Sequence, residues 1–110
     1  MNPTDRGGPI FSAYADDPAS STRVDGFVIA LAERVDELQD CELRGKLGEL
    51  QSLTAKLALE SSGAGYDSLA SCAEAVQSAC RDGVGEAIRK GLEELTEIAR
   101  RIRLGHRGAV

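Results

Sequence analysis

The side chains in this chain best suited to metal binding or nucleophilic chemistry are its three cysteines and its single histidine. Cys41, Cys72 and Cys80 are far apart, form no Cys-x-x-Cys pair, and have only His106 as a nitrogen partner. Zinc sites need such residues at short, regular spacing. We therefore expect reduced thiols that act as small apolar residues, and we expect no metal ion or other cofactor.

Acidic residues are numerous, but their spacing is typical of solvated helix faces. They include two clusters: Glu37, Asp40 and Glu42, and Glu93, Glu94 and Glu97. Both clusters alternate with Arg and Lys, as helical ion pairs do, and the sequence has no Glu-x-x-His pattern of the di-iron kind. The glycine-rich segment 63–65 has neither a Lys-Ser/Thr sequence nor a preceding strand, so a helix end explains it better than a phosphate loop. We expect a protein that is not an enzyme.

Length and composition favour one helical domain. A chain of 110 residues can bury one modest core, and its aromatic content of 4% with no Trp disfavours a β-sandwich. The net charge of −5 argues against a nucleic-acid partner, because such proteins need a basic face. No apolar run approaches the roughly 20 residues that span a bilayer. The first residues also lack the pattern of a signal peptide, so we expect a cytoplasmic protein without a membrane partner.

Apolar residues recur three and four positions apart in four segments, which predicts four amphipathic helices. Their predicted bounds are about 21–43, 46–62, 66–81 and 84–104, with short glycine-containing connections. We predict an all-α, up-down antiparallel four-helix bundle over residues 10–104, a flexible N-terminus over 1–9 and a flexible basic tail over 105–110. Residues 10–14 are expected to form a short helix or turn over the bundle. The predicted core-facing positions include Leu47 and Leu53 in the second helix, and Val84, Ala87 and Ile88 in the fourth.

The outward side of the second helix lacks the charged residues usual on such surfaces. At about 100° per residue, the side opposite Leu50, Leu53 and Leu57 carries only small or apolar residues. These residues, here called the outer strip, are Gly48, Ser52, Ala55, Leu59 and Ser62. Three interpretations are open: helix-forming residues without further meaning, a surface covered by the N-terminal segment, or a docking surface for another protein.

The order of apolar residues and glycines matches a known domain family over about residues 10–103. The segments that carry the match are Phe27, Leu31, Arg34, Val35 and Leu38 in the first helix, Gly45 between helices, Leu50 and Leu53, residues 54–59 (Thr-Ala-Lys-Leu-Ala-Leu), and residues 65–69 (Gly-Tyr-Asp-Ser-Leu). This arrangement resembles a histidine-phosphotransfer (Hpt) domain, the four-helix module that relays phosphoryl groups between receiver domains. The segment 54–59 falls on the family's Ala-His-x-Leu-Lys-Gly motif.

The chain departs from the family at the reactive centre. Ala55 occupies the position of the phosphoacceptor histidine, Ala58 that of the lysine, and Leu59 that of the glycine. Phosphoryl relay needs a nucleophilic imidazole, which alanine lacks. Ser52 and Lys56 are near in sequence, but no neighbouring base or charge would activate either of them.

The resemblance implies a degenerate, pseudo-phosphotransfer protein of two-component signalling. It would bind a receiver domain or a histidine kinase and would not carry phosphate. The partner-binding residues would be Gly48, Ser52, Ala55, Lys56, Ala58, Leu59 and Ser62. The alternative is a self-associating structural bundle with no role in phosphorelay, in which the outer strip packs against a second copy. We expect a monomer or a weak homodimer.

Overall fold

A computed structural model describes residues 8–108 of the chain, with side chains described through His106. A 3-10 turn, Pro18–Ser20, precedes four helices: α1 (Ser21–Leu43), α2 (Leu47–Gly63), α3 (Asp67–Asp82) and α4 (Gly85–Gly108). Each helix packs against the next, and α4 packs back against α1, which closes the ring. The predicted all-α four-helix bundle is confirmed. None of the described helices is long and apolar enough to cross a membrane.

Side-chain contacts between the helices show the antiparallel order. Arg34 of α1 pairs with Glu60 of α2 at 3.0 Å. The Gln39 amide donates to the Thr96 hydroxyl at 3.0 Å, and Asp25 lies 3.4 Å from His106. Along α1, increasing residue numbers therefore meet decreasing numbers on α4. The up-down arrangement follows from the short connections, because a connection of a few residues cannot run back along a helix to start the next one in the same direction.

The core is a continuous cluster of mostly aliphatic side chains drawn from all four helices and the α2–α3 turn. Leu31, Leu50, Leu69 and Leu95 are fully buried within it. Such burial stabilises a fold by about 1.5–3 kcal/mol per large aliphatic side chain. Gly91 lets α3 and α4 approach closely, because a Cβ atom there would lie 2.7 Å from Cγ2 of Val76.

Three predicted core positions are wrong. Leu47, Val84 and Ala87 are exposed, the first two by 36% and 48%. They lie at or next to the N-terminal ends of α2 and α4, where the chain enters the bundle from a turn. Leu92, which the prediction omitted, fills the inner face of α4 and is 5% exposed.

The fourth helix was predicted to end at about residue 104, before a flexible tail over 105–110; that end is wrong, because α4 continues to Gly108. Gly105 packs directly against the backbone of Ile10, and His106 contacts Asp25, so α4 gains neighbours that hold its last turns. The flexible N-terminus predicted over 1–9 lies largely outside the described residues, as do residues 109 and 110. Gly8, which is described, is held by Arg101, whose Nε donates to the Gly8 carbonyl at 2.7 Å.

The N-terminal segment, residues 8–17, is fastened to the bundle at the α2–α3 turn. The Ala13 amide donates to the Gly65 carbonyl at 2.8 Å, and the Ser12 hydroxyl donates to the Ala64 carbonyl at 2.6 Å. Gly65 has φ +84°, and a Cβ atom there would lie 2.5 Å from Oγ of Ser12. Glycine is therefore required at position 65 both by backbone conformation and by space.

Candidate functional site

The outer strip lies on the solvent side of α2, which confirms the helical phase used to define it. Leu59 is 77% exposed and Ala55 is partly exposed. Gly48, Ser52 and Ser62 are also exposed. Since α2 is 17 residues long and regular, these side chains stand on a rigid element.

Two further residues were predicted to contact a partner, and the structure shows that only one of them is exposed. Lys56 is exposed beside the outer strip. Ala58 is 7% exposed and belongs to the hydrophobic core, so its prediction as a contact residue is wrong. The reason is geometric: one step of about 100° from Leu59 turns the Ala58 side chain back towards the bundle.

The inner face of α2 fixes the direction of the outer strip. Leu50 and Leu57 are buried, and Thr54 and Ser61 on the same face are both fully buried. The Thr54 hydroxyl donates to the Leu50 carbonyl at 2.9 Å, and the Ser61 hydroxyl donates to the Leu57 carbonyl at 2.7 Å. Because these hydroxyls bond within their own helix, they can be buried without the cost of an unpaired polar group.

The outer strip offers contact area and one nearby cation, but no activated nucleophile. Position 55 presents only a methyl group. The Ser52 hydroxyl donates to the Gly48 carbonyl at 3.3 Å, so it faces its own backbone and not a general base. Lys56 forms no ion pair with any described residue. Covalent phosphoryl transfer needs a nucleophile with an adjacent base or a lowered pKa, and neither is arranged here.

A depression between α1 and α2 adjoins the outer strip, and the sequence did not indicate it. Its volume is about 410 Å³, and its lining includes Phe27, Ala30 and Gly63 together with the Arg34–Glu60 ion pair. Glu60 and Gly63 directly follow Leu59 and Ser62 in the chain, so the depression borders the C-terminal end of the outer strip. A side chain from a docked partner can enter it.

The described part of the N-terminal segment does not cover the outer strip. Beyond the segment itself and the 3-10 turn, its backbone and side-chain hydrogen bonds go to Ala64, Gly65 and Arg101. The large exposed fraction of Leu59 agrees with this path. Of the three open interpretations, cover by this segment is therefore wrong for residues 8–17.

The three cysteines are buried, form no disulfide bond and have thiols of low reactivity. Burial raises the pKa of all three thiols, and raises that of Cys72 to about 11, with a smaller contribution from the nearby charge of Glu94. Cys72 donates weakly to the Gly91 carbonyl at 3.5 Å. Thiols held in the protonated form are poor nucleophiles and poor metal ligands. Their predicted role as small apolar residues is confirmed.

Among the described residues, no group of three or more His, Cys, Asp or Glu side chains is arranged to hold a metal ion. Comparison of the chain with protein-family models, with curated proteins and with solved structures gives no match. The relation to Hpt domains therefore depends on the residues quoted above and stays a prediction.

Proposed function

We propose that this protein is a degenerate Hpt-like domain that binds a receiver domain or a histidine kinase without accepting phosphate. The observation that carries the proposal is the exposed outer strip on α2, at the position where the resemblance puts the phosphoacceptor. The most exposed member is Leu59, whose side chain has no covering neighbour among the described residues.

The composition of the outer strip suits close contact with another helix or domain. Gly48, Ser52 and Ala55 have short side chains, so a partner backbone can approach α2 without displacing long, hydrated side chains. Leu59 would supply the apolar anchor. Burying a leucine fully is worth about 1.5–3 kcal/mol, so covering its exposed three-quarters contributes about 1–2 kcal/mol. Interfaces commonly depend on a few such buried anchors.

Because alanine at position 55 cannot accept a phosphoryl group, we expect binding of the partner without phosphoryl transfer. A partner that recognises the bundle's shape would meet a methyl group where it needs an imidazole nitrogen. The complex would hold the partner's active site closed to other phosphodonors or acceptors. The protein would then act as a competitor or scaffold in a phosphorelay.

A binding experiment with a matched control tests this proposal. Candidate receivers and kinases are titrated into the isotope-labelled chain, and amide NMR shifts and dissociation constants are measured for wild type, Leu59→Ala and Leu43→Ala. Leu43 is 82% exposed at the end of α1, so its truncation removes similar area from a different face. We expect Leu59→Ala to weaken binding by about 5- to 30-fold and Leu43→Ala to leave it unchanged.

Three results would contradict the proposal. Shifts confined to faces other than the outer strip would show that α2 is not the contact surface. Equal losses of affinity for the two variants would remove the special role of Leu59. Transfer of label from a phosphorylated receiver to this chain would show that a nucleophile other than the missing histidine is active.

Self-association is the second candidate, and the exposure of Leu59 favours it as well. In that case the outer strip would pack against its counterpart on a second copy, where Gly48 and Ala55 permit close helix contact. Sedimentation equilibrium separates the two candidates. A tight dimer that Leu59→Asp dissociates, and that Leu43→Asp leaves intact, would support self-association over partner binding.

A further inference from the structure

A second surface, away from the outer strip, has the features of a ligand site. It is a cleft of about 430 Å³ between the N-terminal segment, the first turns of α1 and the end of α4. Pockets for small molecules fall within a range of about 300–1,000 Å³. Its residues have no part in the proposed phosphorelay contact.

Aromatic side chains are concentrated at this cleft. The chain has two Tyr and two Phe residues, and Phe11, Tyr14 and Tyr66 line the cleft. The remaining one, Phe27, stacks on the Tyr66 ring with centroids 5.7 Å apart. Phe11 and Tyr14 are 59% and 43% exposed, so they contribute little to the hydrophobic core. Aromatic rings left accessible around a concave surface are typical of binding sites.

Tyr66 supplies a polar group without a partner at the base of the cleft. The residue is only 3% exposed, yet its hydroxyl forms no hydrogen bond with any described residue. No fully buried side-chain oxygen or nitrogen lacks a partner in the described part of the chain, so this hydroxyl must reach the cleft surface. Burial, and next the charge of Asp25, raise the pKa of Tyr66, which keeps the hydroxyl protonated at neutral pH.

The charge of the cleft is negative. Asp25 lines it, and neither lysine nor arginine is found among its described lining residues. His106 lies 3.4 Å from the Asp25 carboxylate and offsets its charge only when the imidazole is protonated. The whole chain has a net charge of −5, so its field also favours cations.

We propose that this cleft binds an organic ammonium ion with an aromatic or aliphatic body, such as an aryl-alkyl amine. The ammonium group would donate to the Asp25 carboxylate and to the Tyr66 hydroxyl oxygen, next to the faces of Phe11 and Tyr14. Cations bind favourably over such rings, most strongly where water is excluded. Ile29, which is 78% exposed at the cleft, would contact the hydrocarbon body.

Three probes that share a phenylethyl body and differ in the charge of the end group test the charge requirement. Phenethylamine, 2-phenylethanol and 3-phenylpropionate are titrated separately into the full chain, with amide NMR as the readout. We expect shifts at Phe11, Tyr14, Asp25 and Tyr66, and an affinity for the amine about tenfold above that for the alcohol. The carboxylate should bind more weakly than the alcohol.

Variants then assign the contacts. Asp25→Asn should lower amine affinity about tenfold, to that of the alcohol, because it removes the charge and little volume. Asp36→Asn is the control, since Asp36 is an exposed carboxylate elsewhere on α1. Tyr66→Phe keeps the ring that stacks on Phe27 and removes only the hydroxyl, and should weaken amine binding a few-fold. Circular dichroism confirms that each variant is folded.

The proposal is overturned if the amine and the alcohol bind equally, if the carboxylate binds best, or if none of the probes binds up to its solubility limit. Equal effects of Asp25→Asn and Asp36→Asn would also overturn it. Leu59→Ala should leave amine binding unchanged. The test of the amine site is therefore independent of the test of the partner-binding surface on α2.

Discussion

Replacing Gly65 by alanine is the sharpest test of how the N-terminal segment is held. Two effects combine at this residue. Its φ of +84° lies in the left-handed region, and a Cβ atom would approach Oγ of Ser12 to 2.5 Å and the amide nitrogen of Ala13 to 2.9 Å. The Ser12 side chain can rotate away, but the backbone of Ala13 cannot move without breaking its hydrogen bond to the Gly65 carbonyl.

The size of the effect follows from a comparison with Gly45. Gly45 has a similar φ of +70° but nothing within 4 Å of its added Cβ atom. Gly45→Ala should therefore show the conformational cost alone, about 1–2 kcal/mol. Gly65→Ala should add the loss of the Ala13–Gly65 and Ser12–Ala64 hydrogen bonds, each worth about 0.5–1.5 kcal/mol. We expect it to exceed Gly45→Ala by about 1–3 kcal/mol.

Urea unfolding of wild type and the two variants measures this difference at constant m-value. In thermal unfolding, this difference in stability corresponds to a difference of about 4–12 °C between the melting temperatures of the two variants. Adding Ser12→Ala to Gly65→Ala should recover part of the loss, because it removes the nearest of the three obstructing atoms, which are Oγ of Ser12, the amide nitrogen of Ala13 and Cδ2 of Tyr14. Equal destabilisation by Gly65→Ala and Gly45→Ala would refute the close approach of the N-terminal segment to the α2–α3 turn.

Two other variants test the helices themselves. Gly26 lies in the second turn of α1 with open space around its added Cβ atom, so Gly26→Ala should stabilise the protein by about 0.5–1 kcal/mol in urea unfolding. A loss of stability would contradict the described exposure. The Cys72 pKa of about 11 lies above the ordinary thiol value of 9.0, so its contribution is fully present below pH 9 and is lost as the pH rises through 11. The titration of Cys72 should lower the free energy of unfolding by about 2–3 kcal/mol over that range, in addition to the contributions of the other two buried thiols, and Cys72→Ala should make the slope less steep. An unchanged slope would show that the thiol is already solvated.

Helical periodicity was sufficient to predict the fold because each helix has a single apolar stripe. The predicted bounds of α1 agree with the structure at both ends. The failures occur where tertiary contacts outweigh local sequence. The end of α4 is an example: Gly105 would ordinarily stop a helix, but here it allows Ile10 to pack against the backbone and the helix continues.

The outer strip could be predicted from the sequence and the cleft could not, because the first lies on one helix and the second is assembled from several segments. The members of the outer strip share one helix, so their relative positions follow from about 100° per residue. The cleft joins Phe11, Asp25, Tyr66 and His106 from four separate segments, and His106 was expected in a flexible tail. No local pattern relates such residues. The signal available in the sequence was indirect: the few aromatic residues mostly fall outside the predicted core stripes.

Gly65→Ala also separates the two proposed surfaces. Phe11 and Tyr14 reach the cleft on the N-terminal segment, which the Gly65 carbonyl helps to hold. The outer strip depends only on α2, whose inner face is fixed by Leu50 and Leu57. A folded Gly65→Ala variant should therefore lose affinity for phenethylamine, whereas binding of a receiver through Leu59 should persist. If both affinities fall together in a variant whose circular dichroism is unchanged, the two surfaces are coupled through the bundle, and their independence is wrong.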